Sequence, residues 1–264
     1  MITIKDWTMK DPLNCIGFNM ATCYGTKTSD PEKNIKRAKT HLQSHGRLQE
    51  LPDVYMIIEG YSAKCLRELY THIGGSPTRM QASTRYIDYS KDKNFAIITP
   101  SKIENNENAL KAWNEHMKNT QALIANMIEM GVPVEDATMA LPLAYESKMI
   151  WKVNLRCLVN FMNMRLCTRA YWEIRNLANE LKKALSEYSD EWKYICDLLF
   201  VPKCEALGYC TEHESCGRQM SKERLEAKAD GYDILQDFLC ELPFSVEDCL
   251  DSEGKEILRI ADGE

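Results

Sequence analysis

The stretch from Ser147 to about Tyr188 constrains the fold more than any other. Leu155, Leu158, Val159 and Met162 recur at i, i+3, i+4 and i+7, the spacing that gathers apolar side chains on one face of a helix. The pattern predicts long helical structure over 147–188 with a core-facing stripe. Further helices are predicted around it. "DPEKNIKRAKTHLQSHG" carries Asp30 as a cap, Pro31 at the first helical position and Gly46 at its end. "SAKCLRELYTH" has Cys65, Leu66, Leu69 and Tyr70 at helical spacing behind a possible Ser62 cap. "NALKAWNEHMKNTQALIANMIEMG" is amphipathic and stops at Gly131, and "DEWKYICDLL" follows Ser189. Two runs predict strands: Val54–Ser62, rich in β-branched and aromatic residues, and Asn94–Lys102. Helices dominate and do not alternate regularly with strands, so the fold class predicted is α+β rather than doubly wound α/β.

A chain of 264 residues is long enough to bury roughly three quarters of its unfolded surface. Its formal net charge of -6 gives no general affinity for nucleic acid or an anionic membrane, so an anionic ligand needs a local group of arginines. Eleven cysteines is an odd count, and "MITIKDWTMKD" lacks the basic-then-apolar pattern of a secretory signal. The reading is a cytoplasmic protein with reduced thiols, and no apolar run reaches the ~20 residues that cross a bilayer.

Three segments collect groups that can do chemistry. In "THIGGSPTRMQASTRYIDYS" (71–90), Gly74 and Gly75 allow close backbone approach, Pro77 fixes a turn, and Arg79, Ser83 and Arg85 offer forked donors and a hydroxyl suited to phosphate. If that segment becomes extended, Ser83 and Arg85 face one side; the same residues also suit a plain solvated turn. On the long helix, Asn154 and Arg165 are eleven residues apart, which at ~100° per residue sets them on nearly one face, with Arg156 and Asn160 on others. Such residues also suit an ordinary amphipathic surface. Cys204, Cys210, His213 and Cys216 could hold zinc, although their gaps are wider than usual and buried thiols serve equally well as small apolar groups. No GxxxxGK[ST], GxGxxG, GxSxG or HExxH motif is present.

"QASTRYIDY", followed by "MALPLAYESKMIWKVNLRCLVNFMNMRLCTRAYWEIR", resembles the flavin-dependent thymidylate synthase family. That family shows S-x-R-Y after an Arg-His-Arg signature, then L-P, N-x-R, an Asn four residues on, and L-R-x-x-x-x-A-Q-x-E-I. The resemblance covers roughly residues 19–199. It implies a small, mainly antiparallel sheet flanked by several long helices, with 1–200 as the catalytic domain and 201–264 as a cysteine-containing extension packed on it or trailing from it.

The resemblance also implies chemistry. The activity is reductive methylation of dUMP to dTMP, with FAD as cofactor, methylenetetrahydrofolate as one-carbon donor and NADPH as reductant, in a homotetramer with shared active sites. Arg165 falls on the arginine that activates the pyrimidine by stabilising ionisation of its imide. Glu68, Arg79, Gln81, Ala82, Ser83, Thr84, Arg85 and Arg165 are the nucleotide-binding candidates, Arg79 through its place inside the lengthened loop. Arg47, Gln49, His72, Gln81, Asn154, Leu155, Arg156 and Asn160 are the FAD candidates, Arg47 and Gln49 reaching it from a neighbouring subunit. Four departures stand out. Thr71 and Ile73 replace the signature arginines, the loop that follows is two residues longer, Thr138 stands where an arginine precedes L-P, and Tyr171 replaces the glutamine of A-Q. Arg79, Arg47 and Arg169 are available to compensate. These departures keep open a flavin- and folate-dependent pyrimidine-nucleotide hydroxymethylase, and a non-catalytic nucleotide-binding descendant.

Overall fold

The computed structural model of the chain describes residues 1–72 and 78–228. Gly74, Gly75 and Pro77 of the expected turn, Ile73, and the chain after 228 lie outside the described residues. Two compact units divide the chain, Met1–Ala206 and the part from Leu207 onward.

In chain order the elements are β1 (Ile2–Ile4), α1 (Pro12–Cys23), α2 (Pro31–His41), a 3-10 turn (Gly46–Glu50), β2 (Asp53–Ser62), α3 (Ala63–Leu69) and β3 (Thr78–Gln81). There follow α4 (Ser101–Glu104), α5 (Glu107–Glu129), α6 (Val134–Ala137), a second 3-10 turn (Thr138–Ala140), β4 (Glu146–Asn154), α7 (Leu155–Arg165), α8 (Trp172–Tyr188), α9 (Asp190–Leu199) and α10 (Lys203–Leu207). The strands form one antiparallel sheet in the order β1-β2-β4-β3. The α+β reading holds.

The two central strands bury alternate residues. Val54, Met56 and Ile58 of β2 and Met149, Trp151 and Val153 of β4 are fully buried and face the same side. Onto that side pack Leu158, Phe161 and Met162 of α7, Ile174, Leu177 and Leu181 of α8, and Trp192 and Ile195 of α9, in one apolar core. Between Ile58 and Tyr61 the β2–β4 register shifts, and Gly60 sits at the shift with φ 78°, a left-handed value that only glycine adopts without strain. Gly17 does a different job. A Cβ there would lie 1.9 Å from the Asn34 carbonyl oxygen, so α1 and α2 approach each other only because the side chain is missing.

Several local expectations are met. Asp30 accepts the Lys33 N–H at the start of α2, Ser62 accepts the Cys65 N–H at the start of α3, and Gly131 follows α5 at φ 86°. Others are corrected. The helix expected from Ser147 starts at Leu155, because Ser147 to Asn154 lie in β4 (Glu146–Asn154). Its inward residues Met149, Trp151 and Val153 follow a period of two, and the apolar stripe at 155–162 drew the helical reading back across them. The helical run is also interrupted, with Leu166–Tyr171 separating α7 from α8. The strand expected over Asn94–Lys102 reduces to a single bridge, Ile97 to Tyr145, since Pro100 has no N–H to continue a ladder and instead begins α4.

A candidate active site at the end of α7

Three elements bring one group of polar side chains together. Ser62 caps α3, and the buried Glu173 of α8 accepts from both the Ser62 N–H and the Ser62 hydroxyl at 2.6 Å, with Tyr171 Oη donating to the same carboxylate at 3.2 Å. Burial and then Glu173 push the Tyr171 hydroxyl up to about 12, so it remains a donor. This knot fixes the start of α3. The far end of α3 carries Glu68, and the turn beyond it carries Thr71 and His72.

Against that end lies Arg165, the last residue of α7. Its Nη1 meets Glu68 Oε1 at 2.5 Å, its Nε donates to His72 Nε2 at 2.9 Å, and its Nη2 lies 3.4 Å from Thr71 Oγ1. The cation at a helix C-terminus also suits the helix dipole. From the other side comes Arg79, on the short strand β3 opposite Trp151 of β4. It donates to the His72 carbonyl oxygen and lies over the Tyr70 ring, 5.1 Å from its centroid. The Arg79 Nε and Trp151 Nε1 are buried donors with no partner among the described residues. The His72 imidazole packs edge-on to Phe161 at 5.1 Å. Burial, then Arg165, then Arg79 lower its pKa to about 4. It is a neutral ring between two guanidinium groups.

The remaining candidates form two further groups. At the end of β3, Gln81 Nε2 donates to Ser147 Oγ at 3.0 Å, and just beyond it the Ala82 N–H donates to Lys148 O at 2.8 Å. Ser83–Ile87 is a turn, with Ser83 O accepting from Tyr86 and Ile87 N–H. The extended run that would align Ser83 with Arg85 is therefore absent; the Arg85 N–H reaches Ser83 Oγ instead, at 3.3 Å. Arg85 pairs with Glu135 at 2.8 Å on the surface, and the Thr138 hydroxyl sits between Thr84 O at 2.9 Å and Val134 O at 2.8 Å, within donating distance of both. Thr138, standing where an arginine was expected, fastens this loop.

The third group lies at the opposite end of α7. Asn154 is its N-cap and accepts the Cys157 N–H at 2.9 Å, so it is not three helical turns along a shared face from Arg165 but just outside the helix. Leu155 is buried and donates its N–H to Pro52 O. Arg156 pairs with Glu50 at 2.5 Å, with Gly46 packed against its guanidinium, 3.6 Å from a Cβ that Gly46 lacks. Asn160 and Arg47 are exposed. Arg47 lines a cavity of about 380 Å³ with Met20, Tyr24, His45 and Leu48. Gln49 turns inward and donates to Leu42 O at 2.9 Å. With a rise of ~1.5 Å per residue, α7 sets Asn154 roughly 16 Å from Arg165 and Asn160 about half that.

The model of the family described as "Thymidylate synthase complementing protein" matches residues 5–189. A flavin-dependent thymidylate synthase of Pyrococcus abyssi is 31% identical over 222 residues, which is 81% of this chain and 90% of that protein. The chain belongs to the flavin-dependent thymidylate synthase family. Its members include a Clostridium tetani protein of the same description, 32% identical over 74% of this chain and 82% of that one. The fold is shared with thymidylate synthase X of Helicobacter pylori, solved with FAD and dUMP: TM-score 0.60, 20% identity, covering 76% of this chain and 99% of that one. It is also shared with a UMP/dUMP methylase of Streptomyces cacaoi bound with 5-Br dUMP, at TM-score 0.61 and 14% identity, over 76% and 96% of the two chains.

Some of this chain's residues fit a flavin nucleotide and some are already committed to the fold. Arg47, Arg156 and Asn160 present guanidinium and amide donors to solvent, the chemistry a pyrophosphate and ring carbonyls require. The Asn154 and Gln49 side chains serve α7 and the Leu42 carbonyl. Glu173, Glu50 and Glu135, which hold these groups in place, were not singled out from sequence. Glu173 had a signal, as the acid in the E-I of the quoted family run; Glu50 and Glu135 had none. Among the described residues no three His, Cys, Asp or Glu side chains could together hold a metal ion, which leaves the zinc reading of Cys204, Cys210, His213 and Cys216 without such a group. No helix among the described residues is long and apolar enough to cross a membrane.

Proposed function

We propose that this protein converts dUMP to dTMP by reductive methylation, using FAD as cofactor, methylenetetrahydrofolate as one-carbon donor and NADPH as reductant. The observation that carries the reading is the Arg165 group. A guanidinium held at Nε by a neutral imidazole and at Nη1 by a carboxylate keeps N–H groups for a ligand, and it would stabilise negative charge as it develops on a pyrimidine imide. Arg79 stands beside it as a second cation, in a chain whose signature positions 71 and 73 are Thr and Ile. Arg79, Gln81 and the Ala82–Arg85 loop would bind the nucleotide with Glu68. Arg47, Gln49, His72, Gln81, Asn154, Leu155, Arg156 and Asn160 would surround FAD.

Reduced FAD, when bound, supplies the reducing equivalents and the route by which the one-carbon unit reaches the uracil ring. The side chains position and polarise; none is required as a covalent nucleophile. The exposed Arg47, on the 3-10 turn Gly46–Glu50, suits a homotetramer in which one subunit completes another's site. Residues 1–200 would be the catalytic domain and 201–264 its extension, in the cytoplasm.

The test is the visible spectrum of the purified protein before and after reconstitution with FAD. A flavin band that shifts when dUMP is added supports the reading. A colourless protein that cannot be reconstituted contradicts it.

A further inference from the structure

We infer that His72 is a positioning residue for Arg165: its unprotonated Nε2 accepts the Arg165 Nε–H and so sets the plane in which the guanidinium meets its ligand. The inference rests on the reading that Arg165 meets the pyrimidine, and it gives His72 a role other than cofactor binding.

The geometry leaves His72 one protonation state. An imidazole nitrogen accepts a hydrogen bond only through a free lone pair, so the 2.9 Å contact from Arg165 Nε requires Nε2 to be bare and the proton to sit on Nδ1. The surroundings enforce this. Arg165 approaches from α7, and Arg79 of β3 donates to the carbonyl oxygen of His72 itself. The nearby carboxylate, Glu68 of α3, is already paired with Arg165. The thiols that share this neighbourhood, Cys65 of α3 and Cys157 of α7, are both pushed up by burial and stay uncharged, and Phe161 covers the ring edge-on. A charge on His72 would face two cations across half-buried space, in keeping with its lowered pKa.

A neutral acceptor adds what a carboxylate alone does not. Glu68 fixes where the guanidinium sits, but one ion pair at Nη1, with only a long 3.4 Å contact from Nη2 to Thr71 Oγ1, leaves the planar fork room to roll. A second acceptor at Nε removes the roll and keeps the remaining Nη hydrogens on one side. His72 thus acts through Arg165 and does not serve as a proton donor at neutral pH.

Two measurements test this on the full chain. The first needs no turnover: imidazole nitrogen NMR of the [15N]histidine-labelled protein, with His72 assigned by its loss in His72→Gln. Nε2 is expected to stay unprotonated from about pH 8 down to about pH 5.5; a protonated Nε2, or a titration across that range, overturns the inference whatever reaction the protein performs. The second compares two variants. His72→Leu removes the acceptor and is expected to lower kcat, measured per bound FAD, on the order of 10²-fold. His72→Gln, whose amide oxygen can stand in for Nε2, is expected to recover at least about tenfold of that loss. If His72→Gln is as impaired as His72→Leu, the positioning role is wrong; if wild type shows no turnover, the proposed reaction fails while the tautomer still decides the inference.

Discussion

Glu68 Oε1 and Arg165 Nη1 lie 2.5 Å apart where the ends of α3 and α7 meet, with 26% and 18% of their side-chain surfaces left to solvent. A charge-assisted bond so shielded outweighs a surface ion pair, which contributes little. Glu68→Ala leaves Arg165 without its carboxylate, and the expected cost is about 1.5–3 kcal/mol of stability together with a fall in turnover. Glu68→Gln keeps an acceptor and should lose less of both. Thermal unfolding and steady-state kinetics check the ranking.

Arg79 is tied to the backbone of His72 and to the face of Tyr70, and its buried Nε has no acceptor among the described residues. Arg79→Ala should weaken nucleotide binding by ~1–3 kcal/mol, the worth of a charge-assisted hydrogen bond. Arg79→Lys keeps the charge but not the fork and should recover only part of it. Calorimetric titration with dUMP gives both values, and an unchanged affinity in Arg79→Ala would remove Arg79 from the nucleotide site.

Asn154 caps α7 through Cys157, so Asn154→Ala should destabilise the protein by about 1 kcal/mol. Serine is also a good cap. Asn154→Ser should therefore keep the thermal midpoint of the wild type while still lowering FAD affinity, which separates the helix-capping role of the amide from contact with the cofactor.

His72 gives stability a pH dependence of definite sign. Its folded pKa of about 4 lies below the ordinary 6.5, so in acid the unfolded chain takes up a proton that the folded chain refuses. The stability contributed by the neutral ring is complete above about pH 6.5 and is lost as pH falls through the folded pKa near 4. Denaturant titrations across that window should show a fall in wild type that is shallower in His72→Gln.

Much of the framework could be read from the residues. Asp30, Ser62 and Gly131 marked helix ends because capping and positive φ are local requirements. The β4 strand was hidden because its alternation at Met149, Trp151 and Val153 runs without a break into the helical stripe of α7, and it is the pairing with β2 and β3 that makes it a strand. β1 and β3 are too short to carry a periodic signal. In the site, the resemblance to the family marked Arg165, His72 and Glu68 as important, but their mutual contacts depend on α3 and α7 ending at the same point. The Glu173 knot that fixes the start of α3 joins residues 111 apart. Long-range bonds of this kind leave no local trace.

The most direct test is the identity of the nucleotide formed when the FAD-loaded protein is incubated with dUMP, methylenetetrahydrofolate and NADPH. The account requires dTMP, identified by mass, with Arg165→Ala inactive though it still binds FAD. Hydroxymethyl-dUMP as the main product, or full activity in Arg165→Ala, would contradict it.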